Sequence, residues 1–280
     1  MTPILTTITA YWQRPEMLCS WVKAIRNQSP AVRHLVYFVG EAPPDWWAQE
    51  TAGSGITGMV REEKPGLSIG HYHNLGAEQA DTEWIMKIDV DTLPSANYFK
   101  ELLPILGAAR PREWFNGGML YMNKHCSATL LADANLPLSL RNYTMVMTSL
   151  GTYSASSYLL PAATNFICRR DDYLELGGCD PRFRGYGWED YQQIHMLETH
   201  WLQRSPLGRG VTIENATLRC RDLSRRKARE LWHRNSWLCL MHKWHPGGSD
   251  PTYRSSMNAN RAVLLERVQH DQQRMVKHSG

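Results

Sequence analysis

The sequence predicts an α/β protein in which a mixed, mostly parallel sheet is flanked by helices. Residues 3–11 form a run rich in β-branched side chains, which is typical of a strand, and an apolar stripe of helical period follows from Pro15. Further apolar runs at residues 34–40 and 83–90 alternate with helical patterns. Strands and helices that alternate at this spacing favour β-α-β units and therefore parallel pairing.

Each further element has its own justification. Pro15 fits the first turn of the first helix, where a residue without an N–H leaves no bond unmade. Helical patterns are also predicted at residues 68–82, 96–106, 188–202 and 255–276, a strand at 115–123, and a strand followed by a short helix at 163–178. Residues 127–160 show little periodicity and predict a loop-rich region.

The composition excludes several classes of protein. The chain has 280 residues, 42% of them hydrophobic, and a formal net charge of +4, which fits a globular domain and an anionic ligand but gives no indication of nucleic acid. No apolar stretch approaches the roughly 20 residues of a membrane span, and the N-terminus lacks the basic region of a signal peptide. Six cysteines without a CxxC pair predict reduced thiols in a cytoplasmic protein.

Two acids, Asp89 and Asp91, follow the apolar run at residues 83–90. Residues two apart in an extended segment point the same way, so both carboxylates are expected together at the carboxyl end of a strand. Ligands bind at that edge in open α/β sheets, and two oxygen donors there suit Mg²⁺ or Mn²⁺ with substrate phosphates. An acidic pair that only makes hydrogen bonds within a turn is the alternative.

Two other clusters contain chemically useful side chains. A glycine-rich segment leads into a helix that begins with Glu189 and Asp190, which the helix macrodipole would favour and would keep ionised at neutral pH. His242 and His245 lie three residues apart near the C-terminus, a spacing that also arises by chance. A structural role for each cluster stays open at this point.

The motifs together resemble the inverting glycosyltransferases of the GT-A fold. Residues 9–18 (TAYWQRPEML) resemble the "TYNRPELL" start of bacterial family-2 glycosyltransferases, and residues 24–30 resemble the following "SLLNQTYP". The part from about residue 164 is similar to the C-terminal region shared by β-1,4-galactosyltransferases and chondroitin polymerases. Residues 117–163 match neither group.

For the nucleotide, the resemblance implies contacts from the ends of the first two strands. Thr9, Tyr11 and Arg14 are expected near the base and ribose. Gly40 stands where the family usually has an aspartate that contacts uracil, and Glu41 beside it is expected to substitute.

The helix at residues 68–82 resembles the family's "G-x-x-x-A-R-N-x-G" segment and retains Asn74, which is therefore expected at the nucleotide. Residues 87–91 (KIDVD) supply the DxD motif. The resemblance implies that Asp91 binds the metal and that Asp89 contacts the ribose or a metal-bound water.

Residues 185–190 (GYGWED) resemble the "GWGGED" and "GWGAED" motifs of the galactosyltransferase-type region. By this resemblance Asp190 is the general base and Glu189 hydrogen-bonds the acceptor or the donor sugar. Tyr186, Gly187 and Trp188 are expected to line the sugar site. An ionisable Asp190 favours single displacement with inversion.

Residues 241–251 (MHKWHPGGSDP) resemble the "HVYHP…DP" segment of chondroitin-type transferases. This resemblance implies that His245 binds the metal and that His242 is a second candidate. Together with Asp91, the imidazoles form a ligand set that suits Mn²⁺, with Mg²⁺ as the other option.

The sequence therefore predicts one GT-A domain over residues 1–280, with a nucleotide-binding half (1–95), an acceptor and catalytic half (96–250) and a C-terminal helix (251–280). The expected reaction moves a hexose or N-acetylhexosamine, with galactose or N-acetylgalactosamine favoured, from a UDP-sugar to a glycan or lipid-linked glycan. A bacterial surface-polysaccharide pathway at the cytoplasmic face of the membrane, with peripheral membrane association, fits this type of enzyme.

Three alternatives stay open. A sugar-1-phosphate nucleotidyltransferase needs a glycine-rich phosphate loop after the first strand, and residues 9–16 contain no glycine. A catalytically inactive carbohydrate-binding protein would bind ligand without releasing UDP. A metal hydrolase that uses Asp and His would need no sugar acceptor. The basic run at residues 219–234 is read as a solvated helix face or as a contact for an anionic acceptor or membrane.

Overall fold

The computed structural model describes residues 3–26, 28, 31–62, 66, 68–131, 157–185, 187–202, 230, 238, 240–245 and 255–278. Within these ranges an eight-stranded sheet is flanked by helices. The elements in chain order are β1 (Leu5–Tyr11), α1 (Pro15–Ile25), β2 (Val32–Val39), α2 (Trp47–Thr51), β3 (Ile56–Arg61), α3 (Ile69–Gln79), β4 (Trp84–Lys87), β5 (Thr92–Pro94), α4 (Tyr98–Gly107), β6 (Phe115–Met122), α5 (Lys124–Leu131), β7 (Ser157–Arg169), α6 (Arg170–Glu175), α7 (Glu189–Leu202), β8 (Leu240–His242) and α8 (Met257–His278).

The sheet has the strand order β3-β2-β1-β4-β7-β6-β8-β5. Strands β3, β2, β1 and β4 pair in parallel, as their alternation with helices predicts. From β4 onward the pairing is mixed, because β7 runs antiparallel to both β4 and β6, and β8 pairs in parallel with β6 and antiparallel to β5. The parallel half therefore ends at β4, the strand that leads into Asp89 and Asp91.

The structure adds short elements that the sequence pattern does not predict. They are α2, β3, β5, α5 and β8, of which β5 and β8 have only three residues each. The region predicted as loop-rich, residues 127–160, begins inside α5 and ends inside β7. Residues 132–156 lie outside the described residues, as does the basic run at 219–234 except for Glu230.

The sheet is covered on both faces by apolar clusters. Trp21 and Leu18 of α1 pack with Trp84 on one face, and Tyr72 and Ala77 of α3 pack with the other. Large side chains that are fully buried hold the strands rigidly, which positions the loops at their ends.

The C-terminal helix α8 lies against α7 and the segment before it. Its Leu264 and Val268 pack on Phe183, and the Nε2 atom of His195 in α7 lies 3.2 Å from Oδ2 of Asp271. Within the described part of the chain, none of the helices combines the length and apolarity needed to cross a bilayer.

Candidate active site

The two acids of the DxD motif lie in a turn. Strand β4 ends at Lys87, and the amide of Thr92 donates to the carbonyl oxygen of Asp89 at 3.0 Å. The predicted extended segment through Asp91 is therefore wrong, because the chain turns before the second acid. The carboxylates are nevertheless close. Burial, together with the charge of Asp91, raises the pKa of Asp89 to about 7.

Asp91 meets two histidines from the distant C-terminal part of the sequence. Its Oδ2 atom lies 3.1 Å from Nε2 of His245, and its Oδ1 atom lies 3.7 Å from Nε2 of His242. One potential ligand atom from each of Asp91, His242 and His245 lies within 4.8 Å of the other two. The arrangement arises because β5 pairs with β8, which places His242 opposite Thr92, and because the Lys243 amide donates to the Asp91 carbonyl at 2.8 Å.

These side chains fit a divalent transition metal. Oδ1 of Asp91 is buried and has no hydrogen-bond partner among the described residues, which is costly unless a ligand completes the site. Burial lowers the pKa of His242, so its imidazole is neutral and able to coordinate. Burial alone would raise the pKa of Asp91, but the hydrogen bond from His245 and the positive charge of Arg14 hold it well below its usual range.

Arg14 belongs to this group of side chains. Its Nη1 atom donates to Oδ2 of Asp91 at 2.5 Å, and its side chain is 38% exposed. Arg14 thus contacts the metal-binding carboxylate, and its expected place beside the base and ribose stays a prediction. Helix α1 starts at the next residue, Pro15, and contacts β5, which begins directly after Asp91.

The second group lies at the start of α7. Oδ1 of Asp190 accepts a hydrogen bond from Nζ of Lys87 at 2.7 Å. Burial, with the neighbouring Asp190 charge, raises the pKa of Glu189 to about 8. The expectation that the helix dipole keeps Glu189 ionised at neutral pH is wrong, because the desolvation of a 4% exposed residue outweighs the dipole. Oε2 of Glu189 is buried and lacks a hydrogen-bond partner in the described structure.

The glycine-rich turn before α7 is held by the C-terminal helix. Nδ2 of Asn260 donates to the carbonyl oxygens of Arg184 and Gly187 at 2.6 and 3.0 Å, and its Oδ1 accepts from the Arg184 amide at 2.9 Å. Gly187 and Trp188 have φ angles of 100° and 78°, a region that L-residues adopt only when their surroundings impose it. Trp188 is half-buried, and Tyr186 lies outside the described residues.

The metal-binding group and the α7 group meet at Asp89. Besides Asp91, the charge of Asp190 raises the Asp89 pKa, and the charges of Lys87 and Arg14 lower it. The charges of both groups thus influence Asp89, and Lys87, two residues before it, donates a hydrogen bond to Asp190. That all four acids serve one site stays a prediction.

Two residues expected at the nucleotide make structural contacts. Thr9 is fully buried, and its hydroxyl donates to the carbonyl oxygen of Ile88 at 2.8 Å, which ties β1 to the end of β4. Tyr11 is 2% exposed and packs edge-on against Phe38. Their contacts with a nucleotide stay predictions.

Asn74 and Glu41 likewise fix loops. The amide of Asn74 donates to the Cys179 carbonyl and accepts from the Cys179 amide, both at 2.8 Å, and it also accepts from the hydroxyl of Tyr173 at 2.7 Å. This use of both amide atoms anchors the turn before residue 180 to α3. Oε1 of Glu41 accepts from the amide of Gln13 at 2.5 Å, which places Glu41 at the loop after β1.

The sequence motifs miss several residues of the site. Lys87 and Gln193 contact each other beside Asp190 at 2.8 Å, Tyr121 stacks on His242 with ring centroids 4.6 Å apart, and Asn260 holds the turn. Lys87 had a visible signal, since a lysine inside an otherwise apolar strand needs an anionic partner. Asn260 had none, because a polar residue in an amphipathic helix looks like a solvent contact.

The comparisons with known proteins agree with this architecture. A family model described as Glycosyltransferase like family 2 matches residues 57–207, just over half of the chain. No curated protein sequence matches the chain. The fold is similar to that in the crystal structure of GalNAc-T7 with UDP, GalNAc and Mn²⁺, with a TM-score of 0.55 and 12% identity over 95% of this chain and 48% of that one. The chain therefore spans about half the length of that protein.

Weaker likenesses are found with the mannosyltransferase PcManGT from Pyrobaculum calidifontis in complex with GDP-Man and Mn²⁺ (TM-score 0.46, 14% identity, 95% of this chain and 79% of that one) and with S. aureus TarS 1–349 in complex with UDP (0.43, 10%, 69% and 55%). The similarity to the GalNAc-T7 structure confirms the predicted GT-A architecture. A galactosyltransferase-type C-terminal part stays a prediction.

Proposed function

The chain belongs to glycosyltransferase like family 2, and from this premise we propose that it is a metal-dependent, inverting enzyme that moves a hexose or N-acetylhexosamine from a UDP-sugar to a glycan hydroxyl. The observation that carries the proposal is that the end of β4 leads to Asp91 of the metal-binding group and, through Lys87, holds Asp190. A metal-binding group beside a carboxylate base is the arrangement that this reaction needs.

Asp190 has the role of the base. Its Oδ1 is occupied by Lys87, and Oδ2 is the oxygen that accepts the proton of the acceptor hydroxyl. As that proton moves, the hydroxyl oxygen forms a bond to the anomeric carbon. The bond from this carbon to the diphosphate oxygen breaks, and its electron pair stays on the diphosphate. Attack opposite the leaving group inverts the anomeric configuration.

The remaining polar groups fit the other needs of the reaction. A divalent ion held by Asp91, His245 and His242 would act as a Lewis acid that neutralises the diphosphate. Glu189, whose pKa of about 8 leaves it protonated at neutral pH, can donate a hydrogen bond from its unpaired carboxyl to the donor or acceptor sugar. Trp188 offers an apolar face beside it.

The choice of donor sugar follows from the sequence motifs. Galactose or N-acetylgalactosamine is favoured because the GYGWED and HKWHP segments resemble those of enzymes that use these donors. A fold neighbour crystallised with UDP, GalNAc and Mn²⁺ is compatible with this choice. We propose a glycan or lipid-linked glycan acceptor in surface-polysaccharide synthesis at the cytoplasmic face of a membrane.

The test is a UDP-release screen over several UDP-sugars, with and without Mn²⁺, on the wild-type chain and on Asp190→Asn. The variant should lose transfer and keep UDP affinity within about threefold, because the substitution removes the base and leaves the metal-binding group in place. Asp171→Asn is the matched control, since the Asp171 side chain is 91% exposed and pairs with the neighbouring Arg170. Transfer by Asp190→Asn at the wild-type rate would refute the base, and UDP binding without release by the wild type would indicate an inactive binding protein.

A further inference from the structure

Lys87 connects the central sheet to the helix that carries the base. It is the last residue of β4, and its side chain is 2% exposed. Its Nζ atom donates to Oδ1 of Asp190 at 2.7 Å and to Oε1 of Gln193 at 2.8 Å. Residues three apart on a helix share one face, so one ammonium group can hold the side chains of Asp190 and Gln193 near the start of α7.

The ammonium group is charged despite its burial. Burial alone would lower the pKa of Lys87, but the charge and the hydrogen bond of Asp190 raise it above its usual value. A buried lysine with such a partner is strongly coupled to it, because removing either charge leaves the other without compensation in a low-dielectric site. The ion pair therefore holds the Lys87 and Asp190 side chains in a single arrangement.

The exposure of the two partners is unequal. The Asp190 side chain is 20% exposed, tenfold more than that of Lys87. Lys87 is thus enclosed behind the carboxylate and does not reach a bound acceptor, whereas Asp190 opens toward the site. Of the two Asp190 oxygens, Oδ1 faces the lysine, which leaves Oδ2 for a ligand.

We propose that Lys87 is a positioning residue for the glycosyl transfer, one that fixes the Asp190 carboxylate so that Oδ2 alone faces the acceptor hydroxyl. This inference rests on the proposed function, since it assigns Asp190 as the base. Without the lysine, the short Asp190 side chain is free to rotate. Misplacement of a reacting group by about 1 Å costs on the order of a hundredfold in rate.

The experiment compares Lys87→Met, Lys87→Gln and Lys87→Arg in steady-state transfer assays, with Mn²⁺ and UDP binding measured separately. Lys87→Met and Lys87→Gln should lose about a hundredfold in kcat, with KM for the donor within about threefold of wild type. Lys87→Arg, which keeps the charge, should retain more activity than either. Lys100→Met, at an exposed position in α4, is the control for a lysine outside the site.

A second measurement does not depend on activity. Denaturant unfolding of Lys87→Met, Asp190→Asn and the double variant forms a double-mutant cycle. The ion pair predicts that the double variant loses less stability than the two single losses added together. If Lys87→Met fails to fold, Lys87→Gln takes its place in both experiments, because it keeps a hydrogen-bond donor.

The outcomes separate the two proposals. The positioning role would be overturned if the cycle showed coupling but kcat of Lys87→Met or Lys87→Gln equalled that of the wild type. Additive stability losses would overturn the ion pair on which it depends. A wild-type chain that transfers no sugar would overturn the proposed function, and the cycle would then report on the ion pair alone.

Discussion

Nε2 of His245 lies 3.1 Å from Oδ2 of Asp91, although the two residues come from opposite parts of the sequence. The contact exists because the short strands β5 and β8 pair antiparallel and bring the segment after β8 over the turn after β4. With His242, these two residues form a group whose ligand atoms could hold a metal ion. The pair is thus the basis for the first prediction.

Replacing His245 with alanine should weaken Mn²⁺ binding at least tenfold, since loss of a ligand costs no less than loss of an outer-shell partner. Titration of Mn²⁺ followed by electron paramagnetic resonance measures this directly. His125→Ala, an exposed histidine in α5, should leave the titration unchanged. An unaltered affinity in His245→Ala would remove this residue from the ligand set.

Glu189→Gln should retain most activity at pH 7, whereas Glu189→Ala should not. The pKa of about 8 makes Glu189 a neutral hydrogen-bond donor at pH 7, which glutamine imitates. The group loses its proton as the pH rises through 8, so wild-type kcat should fall between about pH 7 and 9 while that of Glu189→Gln falls less. Profiles of kcat against pH over this range check both statements. The same pH dependence in the wild type and in Glu189→Gln would contradict them.

Asn260→Ala should lower both stability and activity, because it breaks three hydrogen bonds to the turn before α7. Buried backbone groups left unpaired predict a loss of about 2 kcal/mol in the free energy of unfolding. Asn258→Ala is the matched control, since Asn258 is an exposed asparagine of the same helix. Equal effects of the two substitutions on kcat would show that the turn does not depend on α8.

Acid should destabilise the chain through His34. Burial lowers the pKa of this fully enclosed imidazole to about 3, while the unfolded chain keeps a value near 6.5. The unfolded state therefore binds the proton first as the pH falls below 6.5, and this stability is lost progressively down to pH 3. Between pH 7 and 5 the linkage amounts to about 2 kcal/mol.

Urea unfolding at both pH values measures the effect. His34→Gln can keep the hydrogen bond to Thr7, which is 2.7 Å long in the wild type, but does not titrate. Its stability should therefore fall by about 2 kcal/mol less over the same interval. An identical pH dependence in the two proteins would show that His34 is not buried as described.

Much of the fold follows from local patterns. The β-branched and apolar runs locate β1, β2, β4 and β6, and Pro15 marks the start of α1, because strand periodicity and capping are local properties. The three-residue strands β5 and β8 are too short to show a period, and their pairing depends on contacts far apart in sequence. The antiparallel half of the sheet was therefore beyond sequence reasoning.

The site was predicted unevenly for the same reason. Residue types that carry chemistry, such as Asp91, Asp190 and His245, stood out by motif and converge in space. Motif position alone does not show that Thr9 and Asn74 bond neighbouring backbone groups, since the direction of a polar side chain depends on tertiary contacts. The shift of Glu189 to a neutral acid depends on burial, which no local pattern shows.

A crystal of the chain soaked with MnCl₂ and UDP tests the central claim most directly, because anomalous scattering locates manganese independently of the atomic model. The account predicts one strong peak at about 2.0–2.3 Å from Asp91 and from His245 or His242, with the UDP diphosphate on its open side and Asp190 across the same pocket. Manganese bound elsewhere, or UDP bound away from these side chains, would contradict it.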